Sequence, residues 1–137
     1  MGIAVFDTDV LIAFRNREDA QHDVARDRMQ DVLDRRAVKL VCAVNVTEVL
    51  VGPLRKEGAA GADRIAALLD RMRFEVVPAD ATLAWRAAEV RAETNLKLPD
   101  AYVVATALSA SASEDDIRLE SFDRDVIGAF QTLARHH

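Results

Sequence analysis

Short apolar runs alternate along this chain with longer stretches of helical periodicity. Residues Ile3 to Phe6 are continuously apolar and are stopped by Asp7-Thr8-Asp9, the pattern of a strand buried on both faces. A short helix through Val10, Leu11 and Phe14 follows. From Asp19 to Arg36 the apolar positions Ala25, Met29, Val32 and Leu33 recur at helical spacing, with acids and arginines on the other face. Lys39 to Ala43 predicts a second strand. Asn45 stands as N-cap of the next helix, with Glu48 three residues on in capping-box position. Gly52-Pro53 should bend or break that helix, because the proline ring conflicts with the carbonyl of Val49. Gly58 to Gly61 predicts a turn, after which Ile65, Leu68, Leu69 and Met72 share one helical face.

Phe74 to Val77 predicts a third strand stopped by Pro78, and Asp80 caps a helix that turns Leu83, Ala87 and Val90 inward, with Trp85 beside them. The run Ala101 to Ala110 fits strand or helix by periodicity alone. Its alanines, and Pro99 at the first helical position, favour helix. Ile117 to Phe122 predicts a fourth strand, and Asp123 begins a last helix through Val126, Ile127, Phe130 and Leu133. Strands separated by helices imply an α/β fold: a mainly parallel central sheet with right-handed crossovers and helices on both faces. In such a sheet the residues after each strand and at the start of each following helix gather at one edge, where ligands bind.

Composition narrows the picture. A chain of 137 residues, half of them apolar, fits one domain over residues 1–137. With 30% charged residues and a net charge of −5, it has no global positive field for nucleic acid, so a polyanion would need local basic groups. Arg15 and Arg17, Arg55 and Lys56, and Lys97 are placed to rim the edge crevice, although each also serves as ordinary surface charge. The single cysteine, Cys42, lies in an apolar stretch, which excludes an internal disulfide framework. Neither a signal segment nor a membrane-length apolar run is present, and a cytosolic location is expected.

Against this background four of the 23 acids stand out: Asp7, Glu48, Asp100 and Asp123 lie in core-forming sequence, where an uncompensated carboxylate is costly. Taken singly, each is explained as a helix cap or a dipole partner. Together they occupy equivalent places at the sheet edge. Hard cations such as Mg²⁺ and Mn²⁺ prefer oxygen ligands and relieve the repulsion among clustered carboxylates. Phosphate-ester hydrolysis is the chemistry this favours.

The segments Val5-Phe6-Asp7-Thr8-Asp9-Val10-Leu11-Ile12, Asn45-Val46-Thr47-Glu48-Val49-Leu50, Leu98-Pro99-Asp100-Ala101-Tyr102-Val103-Val104-Ala105-Thr106-Ala107 and Ser121-Phe122-Asp123-Arg124-Asp125 resemble, in order, the motifs of PIN-domain ribonucleases, in particular VapC-type toxins. The resemblance runs from residue 3 to about residue 127. It implies a three-layer α/β/α sandwich, with Asp7, Glu48, Asp100 and Asp123 as catalytic metal-site residues. It also implies Mg²⁺- or Mn²⁺-dependent endonucleolytic cleavage of structured RNA such as tRNA or rRNA, restraint by a cognate VapB-type antitoxin, and a homodimer. Asp9 stands where many members have serine and is a further candidate ligand. Asp125 is another, ranked below Asp123. Ser121 replaces a commoner threonine and keeps the hydroxyl. Thr8 and Asn45 are expected to hydrogen-bond the carboxylates or to cap helices.

Such a site needs no protein nucleophile, since metal-activated water leaves a 5′ phosphate and a 3′ hydroxyl. None of the three histidines, His22, His136 and His137, is placed for paired acid and base work, and all are expected to be solvated. Tyr102 and Trp85 are expected in the core or at an interface. Two other functions fit parts of the pattern. A haloacid dehalogenase-like phosphatase would use Asp7 as nucleophile and Asp9 as acid or base, but it leaves Glu48 unexplained. A binding module for RNA or protein on the same scaffold would have no use for the full set of acids.

Overall fold

The computed structural model describes residues 2–136. Its elements run β1 (Ile3–Phe6), α1 (Thr8–Arg15), α2 (His22–Asp34), β2 (Val38–Cys42), α3 (Ala43–Glu57), α4 (Ala59–Arg71), β3 (Glu75–Val77), α5 (Ala81–Glu93), α6 (Leu98–Ala110), β4 (Ile117–Glu120) and α7 (Arg124–Ala134). The four strands form one sheet in the order β3-β2-β1-β4, every neighbouring pair parallel. The expected sandwich is present.

Alternation along the strands divides the core in two. Ala4, Phe6 and Val41 pack with Val10, Leu11, Ala25, Met29, Val32, Val49 and Ile65 beneath α1 to α4. Val5 and Cys42 pack on the other side with Leu83, Ala87, Val90 and the buried residues of α6 and α7. Phe6 and Phe74 meet edge to face, centroids 5.0 Å apart. Helix α6 is buried at every position from Val103 to Leu108, which is why its sequence shows no amphipathic period. Among the described residues no helix is long and apolar enough to cross a membrane.

Several local expectations are corrected. Asn45 is not an N-cap, because α3 starts two residues earlier at Ala43, directly after β2. No capping box forms, and Asn45 is instead buried inside the first turn. Pro53 does not break α3, which continues to Glu57. There α4 lies against the proline turn so closely that a Cβ on Gly61 would sit 2.3 Å from the Pro53 carbonyl oxygen. Gly61 therefore belongs to a helix rather than a turn, and Gly58, at φ +63°, alone separates the two helices. Trp85 is 76% exposed and lies outside the core, and Leu33 is 40% exposed.

Helices α2 and α4 end alike. Arg36 and Arg73 adopt left-handed backbone (φ 55° and 59°), and the following amides reach back to Val32 and Leu69. These are Schellman turns with arginine where glycine is usual. They deliver the chain directly into the next strand.

Candidate metal centre at the β1–β4 edge

After β1 the chain crosses to β2 on one side, while β4 lies on the other. The direction of winding reverses there, which opens a crevice beyond the carboxyl ends of β1 and β4. Asp7 leaves β1 into this crevice and is 4% exposed. Its backbone N–H extends the sheet ladder to the Glu120 carbonyl at 2.9 Å. One carboxylate oxygen accepts from the Thr8 N–H at 2.7 Å, and the other accepts from the Ser121 hydroxyl at 2.8 Å. Burial, then repulsion from Asp9 and more weakly from Asp100, pushes the Asp7 pKa up to about 7 against these two donors.

The loop after β4 organises the remaining acids. Asp9 accepts from the Phe122 N–H at 3.1 Å and from its own helix at the Val10 N–H, 2.7 Å away. Burial again leads in raising its pKa, with Asp123 adding repulsion and Arg28 opposing it. The Ser121 hydroxyl accepts from the Asp123 N–H at 3.0 Å, and Asp123 caps α7 by accepting from the Asp125 N–H at 2.9 Å. Asp125 is exposed, and its contact with that cluster is through its backbone amide.

Two other elements complete the crevice. Asp100 sits in the first turn of α6, half-buried, and its pKa is raised by burial and by repulsion from Asp123, Glu48 and Asp9. Lys97, the α6 N-cap, partly offsets this. Glu48 comes from α3 and is exposed rather than enclosed by the aliphatic residues around it in sequence. Its carboxylate accepts from the Thr8 hydroxyl at 2.6 Å. Asn45, fully buried, donates to the Thr8 hydroxyl at 3.1 Å and reaches Glu48 and the Pro99 carbonyl at 3.5 Å each. Thr8 and Asn45 thus tie α1, α3 and α6 together beneath the acids, while Asn45 Oδ1 is buried without a partner.

The four acids singled out in sequence, with Asp9, are brought to one crevice, and Asp125 is left at its rim. As they are oriented, no three His, Cys, Asp or Glu side chains among the described residues form a metal-holding group. Glu48 and Asp9 are turned onto the Thr8 hydroxyl and the Phe122 amide. The donor set still suits a hard divalent cation: it is all oxygen, partly desolvated, and held under mutual repulsion that a cation would remove.

Arg28 of α2 is the residue that sequence reasoning missed. Its Nη1–H donates to the Ser121 carbonyl at 2.7 Å, and its guanidinium lies 4.9 Å from the Phe122 ring centroid. One arginine among several on a polar helix face carried no signal. His22 is not simply solvated, since its Nδ1 lies 2.8 Å from the Ala13 carbonyl and ties α2 to α1. It is remote from the acids in both sequence and bonding. His137 lies outside the described residues. Of the basic candidates, Arg15 and Lys56 line a cleft of ≈ 760 Å³ between α1, α3 and α4, Lys97 adjoins Asp100, and Arg17 lines a separate hollow.

Solved structures share this architecture. Mycobacterium tuberculosis VapC20, a Sarcin-Ricin loop cleaving toxin, superposes with a TM-score of 0.70 at 22% identity, covering 92% of this chain and 94% of that one. A toxin–antitoxin complex from Klebsiella pneumoniae matches at 0.66 and 26% identity over 91% of each chain. VapBC2 from Rickettsia felis, bound to a DNA fragment from its promoter, matches at 0.63 and 14% identity, covering 88% of this chain and 99% of that one. Comparison with curated protein sequences gives no match. The family model described as the PIN domain matches residues 4–132, with the acids of the β1–β4 crevice inside that span, and the chain belongs to the PIN-domain family.

Proposed function

We infer that the chain is a divalent-metal-dependent endoribonuclease of the toxin–antitoxin kind, cleaving structured RNA. The observation that carries this reading is the convergence of Asp7, Asp9, Glu48, Asp100 and Asp123, from four separate segments, on the switch-point crevice of a PIN domain. Asp7, Glu48, Asp100 and Asp123 would hold Mg²⁺ or Mn²⁺, with Asp9 as an additional ligand and Asp125 as the weakest candidate. A bound cation would supply an activated water and charge neutralisation at the scissile phosphate.

The chain's own groups prepare for that role. Ser121 and the Thr8 amide fix both oxygens of Asp7, and Asn45 with Thr8 holds Glu48 against α1. Protonation of Asp7, favoured by its burial and then by repulsion from Asp9, would compete with metal until pH rises past about 7. Lys97 beside Asp100, and Arg15 with Lys56 farther along α1 and α3, offer backbone phosphate contacts that need no base recognition. A cytoplasmic location accords with such a substrate and is part of the same proposal.

A VapB-type antitoxin and a second copy of the chain are the expected protein partners, by analogy with the toxin–antitoxin complexes this fold resembles. Membership of the PIN family leaves the phosphatase alternative without support. The test is incubation of purified protein with total tRNA and rRNA and Mn²⁺, with and without EDTA, beside Asp7→Asn and Asp100→Asn. Metal-dependent fragments with 5′ phosphates are expected, with at least about 100-fold less cleavage by either variant. Equal cleavage by the variants would disprove the site. No cleavage of any RNA would leave a binding module.

A further inference from the structure

The β4–α7 segment does more than supply Asp123. From two consecutive residues it sends three bonds to the acids: the Ser121 hydroxyl to Asp7, the Phe122 N–H to Asp9, and the Ser121 oxygen back to the Asp123 N–H. Errors in the orientation of these two residues would therefore reach the carboxylates of Asp7 and Asp9 and the backbone of Asp123 at once. Among the described residues no neighbouring strand lies beyond β4, the edge strand, to hold this segment in place. The contact that does so comes from α2.

Arg28 grips the segment in two ways. It donates to the Ser121 carbonyl at 2.7 Å and lies over the Phe122 ring at 4.9 Å, so the peptide between the two residues is held from one side by a single flat group. A guanidinium does both jobs because it is planar and carries several donors in a fixed fork, whereas a lysine ammonium is a point charge without a face to stack. Buried Glu120, directly before the segment, and Asp9 supply the negative charge that keeps Arg28 there. Arg26, on the same helix, pairs with exposed Asp23 at 3.8 Å, and among the described residues it makes no such contact.

We propose that Arg28 is a positioning residue of the acidic site: it clamps Ser121 and Phe122 so that their hydroxyl and amide groups fix Asp7, Asp9 and Asp123 for metal. What this says of the cation rests on the proposed function above; what it says of the loop does not.

The experiment compares Arg28→Met, Arg28→Lys and the control Arg26→Met with the parent chain by two readouts. Amide hydrogen exchange at Phe122 and Asp123 is measured in EDTA, and Mn²⁺ affinity is measured by paramagnetic resonance of the free ion. Arg28→Met should speed exchange at both amides about tenfold and weaken Mn²⁺ binding about tenfold. Arg28→Lys should fall between, and the control should match the parent. Parent-like exchange in Arg28→Met overturns the clamp, and parent-like behaviour of Arg28→Lys overturns the need for a planar group. Should Arg28→Met fail to fold, Arg28→Lys still decides. A parent that binds no Mn²⁺ would overturn the metal-site reading, while the exchange measurement would still decide whether Arg28 holds the loop.

Discussion

Asp7 shows how one buried carboxyl links stability to the state of the site. Its pKa is near 7 in the folded chain against an ordinary 3.8. Folding therefore retains a proton that unfolding releases. The stabilisation this brings is fully present below about pH 4 and is lost as pH rises through about 7. In EDTA the urea midpoint should fall between pH 5 and pH 8, reflecting a loss of unfolding free energy on the order of a few kcal/mol. Asp7→Asn should flatten that slope and exceed the parent in stability at pH 8. A parent whose midpoint rises over this interval would contradict the assignment. Ser121 carries the complementary prediction. Ser121→Ala strips Asp7 of a 2.8 Å donor and the Asp123 amide of its acceptor, and should cost roughly 1–3 kcal/mol, with Ser121→Thr retaining most of it. Thermal melts of the three proteins decide the matter. At this scale the acids were legible because each interrupts apolar sequence. Arg28 was not, because an arginine on a polar helix face looks the same whether it clamps a loop or merely faces water.

Helix and strand identities were readable from periodicity except in α6, where alanine content and Pro99 decided, and the ends of the elements were less so. Asn45 looked like a cap because polar residues favour helix starts, yet α3 begins at Ala43 and buries Asn45 against Thr8 and Pro99. The ends of α2 and α4 were blurred because arginine, not glycine, occupies the left-handed positions. Pro53 failed to end α3, since Gly58 N–H still closes the last turn on Leu54 at 2.8 Å and α4 packs along the same stretch. That packing yields a sharp comparison. Gly61→Ala must push backbone away from the Pro53 carbonyl and should destabilise by about 2 kcal/mol or more. Gly128→Ala, in α7 with nothing near its Cβ position, should stabilise by about 0.5–1 kcal/mol. Equal effects in urea denaturation would mean that the α3–α4 contact is looser than described.

For the whole molecule, the controlling fact is that a chain of net charge −5 concentrates several acids in one crevice. Metal bound to the folded state alone raises apparent stability by mass action. At about 1 mM Mn²⁺ and pH 7.5 the melting temperature should rise by several degrees over the EDTA value. Asp100→Asn should lose most of that rise. A parent melt that ignores Mn²⁺ and Mg²⁺ would count against the proposed function.

The sequence alone determined the alternation of elements, hence a parallel sheet, and through strand direction the edge at which Asp7, Glu48, Asp100 and Asp123 meet. It could do so because strand and helix periods are local properties of the chain. Thr8 and Asn45 were already candidates to hydrogen-bond those acids, and tertiary structure decided which acid each group holds and added Arg28 and the Phe122 amide. Thr8 with Glu48, Arg28 with Ser121, Phe122 with Asp9 and Ser121 with Asp7 are 40, 93, 113 and 114 residues apart in the chain. No local period encodes such pairs. They arise only when β1 and β4 lie side by side and α2 and α3 cover the same face, so that desolvation leaves each buried polar group to find its partner across the fold.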